Sequence, residues 1–234
     1  MVLETPAELL RCIYISDEAD ADIAADAKAL CEGAGISLET VAGKVFREIS
    51  DTVTPQGIMA VVSMPEWDYE GILDSRGEGA LLLFLENLQD PGNLGTILRT
   101  AEAAGADAII ADKNTVDLFN PKVVRSTMGG IYRMPFISVA DLPSAVDAAK
   151  SRGIKFYAAH LSGKCDYSTP DYTGGTAFFI GNEGNGLTDE TTALADEKII
   201  IPMEGKTESL NAAMSAGILM YEAHRQRSTN VNLV

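Results

Sequence analysis

The segment Asn87–Ala106 reads NLQDPGNLGTILRTAEAAGA and follows directly on Ala80–Leu85, ALLLFL, which a single carboxylate, Glu86, brings to an end. A short unbroken apolar run bounded in this way is a strand buried on both faces. Pro91 and Gly92 then make a turn, Asn93 can cap a helix over Asn93–Ala104, and Arg99 falls near its second turn. Taken alone, Asn93 reads first as a capping residue and Arg99 as a solvated helical cation.

The same alternation continues outward. Further buried-strand candidates are Ala108–Ala111, Lys155–Ala159, Ala177–Ile180 and Lys198–Ile201, and helical patterns fall at Pro121–Met128, Asp141–Arg152, after Leu187 and, last, over about Leu210–Arg227. Continuous apolar strands separated by helices call for an α/β fold with a parallel sheet covered on both faces. Upstream, 64–79 holds Pro65, Gly71, Gly77, Gly79 and five acidic residues, and reads as a linker with at most one short helix. Residues 1–63 form a smaller α/β unit. It has strands at Cys12–Ile15, Leu38–Val41 and Gly57–Ser63, a helix from about Asp17 capped by that residue, and a helical turn carrying Val45, Phe46 and Ile49. Its first ten residues resemble the end of an amphipathic helix, so this domain is expected to be incomplete at its start, with 80–234 as the second domain.

Composition narrows the function. The chain has 234 residues, 46% hydrophobic and 22% charged, an ordinary globular mix. No apolar run approaches the roughly 18 residues of a membrane span, and Glu4 and Glu8 interrupt any leader-like start. Cys12, Cys31 and Cys165 are an odd, widely spaced set that suggests neither a disulfide framework nor a zinc cluster, and His160 and His224 have no partner pattern; a reduced cytoplasm and no metal are the expectations. The net charge of −16 is unusual for a nucleic-acid binder. It is uneven: residues 1–75 hold 4 basic and 15 acidic residues, and 76–234 hold 14 and 19. Any polyanion would meet a local patch on the second part.

No G-x-G-x-x-G follows the Ala80 strand and no G-x-x-x-x-G-K-[ST] occurs, which argues against a dinucleotide or ATP. Two other clusters stand out. FFIGNEGNGL, Phe178–Leu187, runs a buried strand into three glycines with Asn182 and Glu183, either a tight loop or a loop whose backbone approaches a flat ligand. IIIPMEGKTESLN, Ile199–Asn211, breaks a strand at Pro202 and opens the last helix at Ser209, Leu210 and Asn211; Ser209 is equally a plain N-cap.

In order and wording the three clusters resemble the SpoU, or TrmH-like, family of SPOUT RNA methyltransferases. N-x-G-x-x-x-R is matched by Asn93, Gly95 and Arg99, N-E-G-x-G by Asn182, Glu183, Gly184 and Gly186, and I-P-M with S-L-N by Ile201, Pro202, Met203, Ser209, Leu210 and Asn211. The resemblance covers about 80–227. Residues 1–63 are similar to the tail of the ribosomal-protein-like substrate-binding domain that many members carry.

The resemblance implies a SPOUT domain with a trefoil knot, a homodimer whose site draws on both subunits, and methyl transfer from S-adenosylmethionine to a ribose 2′-hydroxyl. Ribosomal RNA is favoured over transfer RNA, and a non-catalytic RNA-binding or assembly factor is the alternative. Gly181, Ile201, Met203 and Leu210 would hold adenine and ribose. Asn182, Gly184 and Glu183 would sit at the methionine end or brace the loop. Among the catalytic candidates, Arg99 would bind phosphate or the developing oxyanion, Asn93 would fix its loop, Ser209 and Asn211 would orient Arg99 or the nucleotide, and Glu183 would give electrostatic support or relay a proton. RSTMGG, Arg125–Gly130, places Ser126 and Gly129 in the family's intervening segment, where they would shape the site. Met214, Ile218, Leu219 and Tyr221 of the last helix are core by default and dimer-forming by resemblance.

Overall fold

Residues 2–228 are described by the structure, a computed structural model. The chain divides into two units, one up to Glu66 and one from Trp67. Met1 and 229–234, the end of the expected second domain, lie outside the described residues.

In the first unit Leu10–Ser16 (β1) is the central strand. Ala21–Ala34 (α1), Ser37–Val41 (β2), Gly43–Ile49 (α2) and Ile58–Val62 (β3) follow it. β2 pairs with β1 in parallel and β3 pairs with it antiparallel, giving the order β2-β1-β3. Leu10, Ile13 and Ile15 close on Ala27 and Cys31 of α1. The cap of α1 differs from expectation: Asp20 accepts the Asp22 N–H at 2.9 Å, whereas the Asp17 carboxylate accepts the Gly43 N–H at 2.7 Å and so ties the start of α2.

The second unit begins inside the expected linker. Tyr69–Arg76 (α3) is a helix whose Leu73 is fully buried, and the Tyr69 hydroxyl donates to the Ala145 carbonyl at 2.7 Å. Then come Leu81–Leu85 (β4), Pro91–Ala104 (α4), Ala108–Asp112 (β5), Pro121–Ser126 (α5), Phe136–Val139 (β6) and Leu142–Lys150 (α6). They are followed by Lys155–Ala159 (β7), Cys165–Asp166 (β8), Thr176–Ile180 (β9), Asp189–Ala193 (α7), Glu197–Ile200 (β10) and Ala212–Ser228 (α8). The seven strands form one parallel sheet, β6-β5-β4-β9-β7-β10-β8. β6 and β8 are additions to the sequence reading. Both are edge strands, short and only half-buried, so neither carries the apolar run that marks the others.

β4, β5, β7 and β9 each serve two cores because their side chains alternate. Leu81, Leu83 and Leu85 of β4 pack with Phe178 of β9 against α4 and α8, while Leu82 and Phe84 pack with Phe179 and Phe156 against α6 and α3. Phe84 and Phe156 meet edge to face with centroids 4.9 Å apart. The far end of α8 is fastened by Arg227, whose guanidinium donates to the carbonyls of Tyr172, Gly79, Ala80 and Gly174 at 2.7–3.1 Å.

The path near β10 is unusual. β7 ends at Ala159 opposite Ile199, and β8 begins at Cys165, also opposite Ile199. Residues 160–164 therefore cross a face of β10. The crossing is so close that a Cβ on Gly163 would lie 2.7 Å from the Ile199 carbonyl carbon.

Candidate active site

Asp90, not Asn93, caps α4: its carboxylate accepts the Asn93 N–H at 2.8 Å. Pro91 at the first helical position needs no donor partner, which leaves Asp90 as the natural cap. The Asn93 side chain is thereby available for other work. Its Nδ2 donates to Glu183 at 3.0 Å, and its Oδ1 accepts from Asn211 Nδ2 at 2.9 Å. Asn211 in turn accepts the N–H groups of Ala213 and Met214, so it caps α8, and Ser209 does not. One hydrogen-bonded chain, Asn211–Asn93–Glu183, thus joins the three sequence clusters.

Glu183 is held from a third side. Its carboxylate accepts the backbone N–H groups of Gln89 and Asp90 at 3.0 and 2.8 Å. Burial works to raise its pKa and is the largest single influence, but the donors from Asn93, Asp90 and Gln89 together outweigh it, and the carboxyl lies below the ordinary glutamate value. Asn182 is also fully engaged. Its Nδ2 donates to the Asn87 carbonyl at 2.8 Å, and its Oδ1 accepts from Gly184 and Asn185. Asn87 has the positive φ of 53° that turns this carbonyl toward the loop, a conformation asparagine tolerates better than most residues. Asn182 is therefore a brace of its loop.

The loop 181–187 closes on itself, with Asn182 and Gly186 exchanging both backbone hydrogen bonds at 3.0 and 2.9 Å. Gly95 has an unrelated reason to be glycine: a Cβ there would fall 1.7 Å from Ser126 Oγ, so the motif glycine lets α5 pack on α4. Ser126 thus packs directly against α4.

At the carboxyl ends of β7, β9 and β10 lies a cleft of about 300 Å3. That is the position at which open parallel sheets hold ligands. Its walls include Gly181, Asn182, Glu183, Gly184, Ile201, Met203, Ser209 and Leu210, all expected from the sequence. Arg99, Asn93 and Asn211 do not line it. Arg99 is exposed on α4 and makes no hydrogen bond or ion pair with any described residue. The sequence reading missed Ala159, the last residue of β7, and His160 and Leu161 just beyond it, which form part of the wall. Their position after a buried parallel strand was the available signal. It missed Glu86 too, a buried carboxylate that accepts from Thr188 N–H and from the hydroxyls of Thr188 and Thr191, anchoring the loop's exit.

Apolar side chains with backbone N–H and C=O groups around glycines suit an adenosine, and the wall holds carboxylates but no Lys or Arg, which suits a cationic sulfonium. Among the described residues no three His, Cys, Asp or Glu side chains are grouped to hold a metal ion, and no helix is long and apolar enough to cross a membrane.

A parallel sheet covered on both faces, with a cleft at its carboxyl edge walled by a glycine loop and a proline-broken strand, is the frame of a ligand-binding α/β enzyme. The chain belongs to the SpoU rRNA methylase family, whose family model matches residues 80–221; that of the RNA 2′-O ribose methyltransferase substrate-binding domain matches 2–67. It is 37% identical over 187 residues to the 23S rRNA (guanosine(2553)-2′-O)-methyltransferase RlmP of Bacillus subtilis, covering 80% of this chain and 72% of that one. To the 23S rRNA (guanosine-2′-O-)-methyltransferase RlmB of Xylella fastidiosa it is 32% identical, over 97% of this chain and 92% of the relative. Among solved structures, the SpoU methyltransferase AviRb of Streptomyces viridochromogenes in complex with AdoMet superposes with a TM-score of 0.81 at 30% identity, over 98% of this chain and 86% of that one. The AdoMet-bound rRNA methyltransferase of Sinorhizobium meliloti gives 0.80 at 32% identity, over 92% and 80%.

Proposed function

We propose that this chain is a ribosomal RNA 2′-O-methyltransferase that uses S-adenosylmethionine. The observation that carries the reading is the Asn211–Asn93–Glu183 chain, which ties the first and third family motifs to Glu183 on the cleft wall. When bound, S-adenosylmethionine supplies the methyl group as a sulfonium. Gly181, Ile201, Met203 and Leu210 would hold its adenine and ribose, with Gly184 and Asn182 keeping the loop in place. Arg99 would hold an RNA phosphate and stabilise the charge developing on the 2′-oxygen; an exposed guanidinium with no protein partner is consistent with that task. Asn93 and Asn211 would set the helix ends around Ser209, which stays free to orient the nucleotide.

The reading extends to assembly. Met214 and Tyr221 are 59% and 49% exposed on α8 while Leu219 is fully buried, which supports a homodimer through the outer face of that helix. A second subunit would account for the distance of Arg99 from the cleft wall of its own chain. The crossing of 160–164 over β10 supports the trefoil knot, and the free cysteines support a cytoplasmic location.

The test is methyl transfer from radiolabelled S-adenosylmethionine to unmodified ribosomal and transfer RNA, with nucleoside mass spectrometry of the product. A 2′-O-methylated nucleoside in ribosomal RNA is expected. Cofactor binding without transfer to any RNA would favour the non-catalytic alternative.

A further inference from the structure

The charge inventory of the cleft is lopsided. Its wall carries two carboxylates, Glu183 and Glu208, and no Lys or Arg. Its one imidazole, His160, is engaged at Nδ1 by the Ser162 N–H at 3.0 Å. Glu183 is committed to three N–H donors. Glu208, in the loop between β10 and α8, is exposed and has no hydrogen-bond or ion-pair partner among the described residues. It is the one uncommitted charge on the cleft.

S-adenosylmethionine and its demethylated product differ by one methyl group and one positive charge, which sits on sulfur in the first and is absent from the second. Their carboxylate, ammonium, ribose and adenine are the same. A wall that offers only negative charge therefore separates them through the sulfonium. We infer that Glu208 is a specificity residue that makes the cleft favour the cationic cofactor over the neutral thioether product, and so promotes exchange after transfer. This rests on the reading that the cleft takes S-adenosylmethionine.

The exposure of Glu208 sets the size of the effect, since screened surface charge pairs shift binding by about two- to fivefold and weaken with salt. The experiment is calorimetric titration of wild type and Glu208→Gln with S-adenosylmethionine, S-adenosylhomocysteine and sinefungin, which carries an ammonium in place of the methylsulfonium. Glu208→Gln keeps the shape and should melt with the wild type. S-adenosylmethionine and sinefungin should bind about two- to fivefold more weakly, with S-adenosylhomocysteine nearly unchanged, and the difference between proteins should shrink at high salt. Equal weakening of all three ligands, or no change in their ratio, overturns the inference while leaving the cofactor reading intact. A folded wild type that binds none of the three overturns both.

Discussion

Gly181 follows β9 directly and lies against the far side of its own loop. A Cβ there would stand 2.3 Å from the Gly186 carbonyl carbon and 2.4 Å from both the Gly186 oxygen and the Leu187 nitrogen. All three are backbone atoms, so no side chain can swing aside. Gly181→Ala must therefore open the loop and break the paired hydrogen bonds between Asn182 and Gly186, 3.0 and 2.9 Å long. Each such bond is worth about 0.5–1.5 kcal/mol and forced overpacking costs about 1–3 kcal/mol, but the loop is largely exposed and water would replace part of the loss, so we expect about 2–3 kcal/mol. For a unit of this size that is a fall in Tm of roughly 4–12 °C. Gly184→Ala is the control, because its Cβ would meet only Asn182 Oδ1, at 3.6 Å. Calorimetric melting and titration with S-adenosylmethionine should show Gly181→Ala destabilised and weakened in binding at least about tenfold, since 1.4 kcal/mol of lost loop geometry suffices for that factor. Gly184→Ala should melt with the wild type. A Gly181→Ala protein with unchanged melting and affinity would refute the loop argument.

Arg99→Ala should bind S-adenosylmethionine nearly normally and lose methyl transfer, and Arg99→Lys should recover little because an ammonium lacks the planar fork; full turnover in the alanine variant would remove Arg99 from the reaction. Asn93→Asp replaces a donor 3.0 Å from Glu183 with a second carboxylate, which should raise the Glu183 pKa. In the wild type this group's stabilising effect is complete above its ordinary 4.5 and is lost as pH falls through the depressed folded value, so in the variant the loss should begin at higher pH; an unchanged carboxyl titration by carbon NMR would contradict this. Arg227→Ala removes one donor from each of four carbonyls, three of which keep a second donor from Thr176, and should cost about 1–3 kcal/mol, with Arg227→Lys restoring less than half; equal melting of all three proteins would deny the clamp.

The sheet was legible where strands carry consecutive apolar residues. β4, β5, β7, β9 and β10 each present a run of apolar residues, whereas β6 and β8 lie at edges and β8 has only two residues, too few to imprint a pattern. Helix positions were readable but caps were not, because several polar residues competed near each start. Asp90 and Asn93, Asp17 and Asp20, and Ser209 and Asn211 are all acceptable caps by residue type, and only the fold decides which has its backbone in the right conformation. Within the segment read as a linker with at most one short helix, a single buried leucine, Leu73, among glycines and acids leaves little periodic signal, yet it seats that helix on the core. The cleft was half legible. Its motif residues were found, while Ala159, His160 and Leu161 came only from the strand order that brings β7 beside β9 and β10.

The hydrogen-bond accounting also bears on which group takes the proton from the 2′-hydroxyl. A base needs a lone pair free to accept and a conjugate acid that is stable near neutral pH. Glu183 has neither advantage. Both its oxygens already accept N–H donors, and its carboxyl is held below the ordinary glutamate value, so protonating it would forfeit those bonds. Arg99 offers no lone pair either, because a guanidinium has five N–H donors and no acceptor. On the proposed reading, the motif residues divide the work differently. Glu183, Asn93, Asn182 and Asn211 hold two loops and two helix ends in register, and a positively charged Arg99 lowers the cost of forming the oxyanion. Proton acceptance then falls to solvent or to the RNA itself, and the rate of transfer should rise with pH without a plateau assignable to a carboxylate. A kcat profile that levels off above an acidic break and loses that break in Glu183→Gln would instead make Glu183 the base.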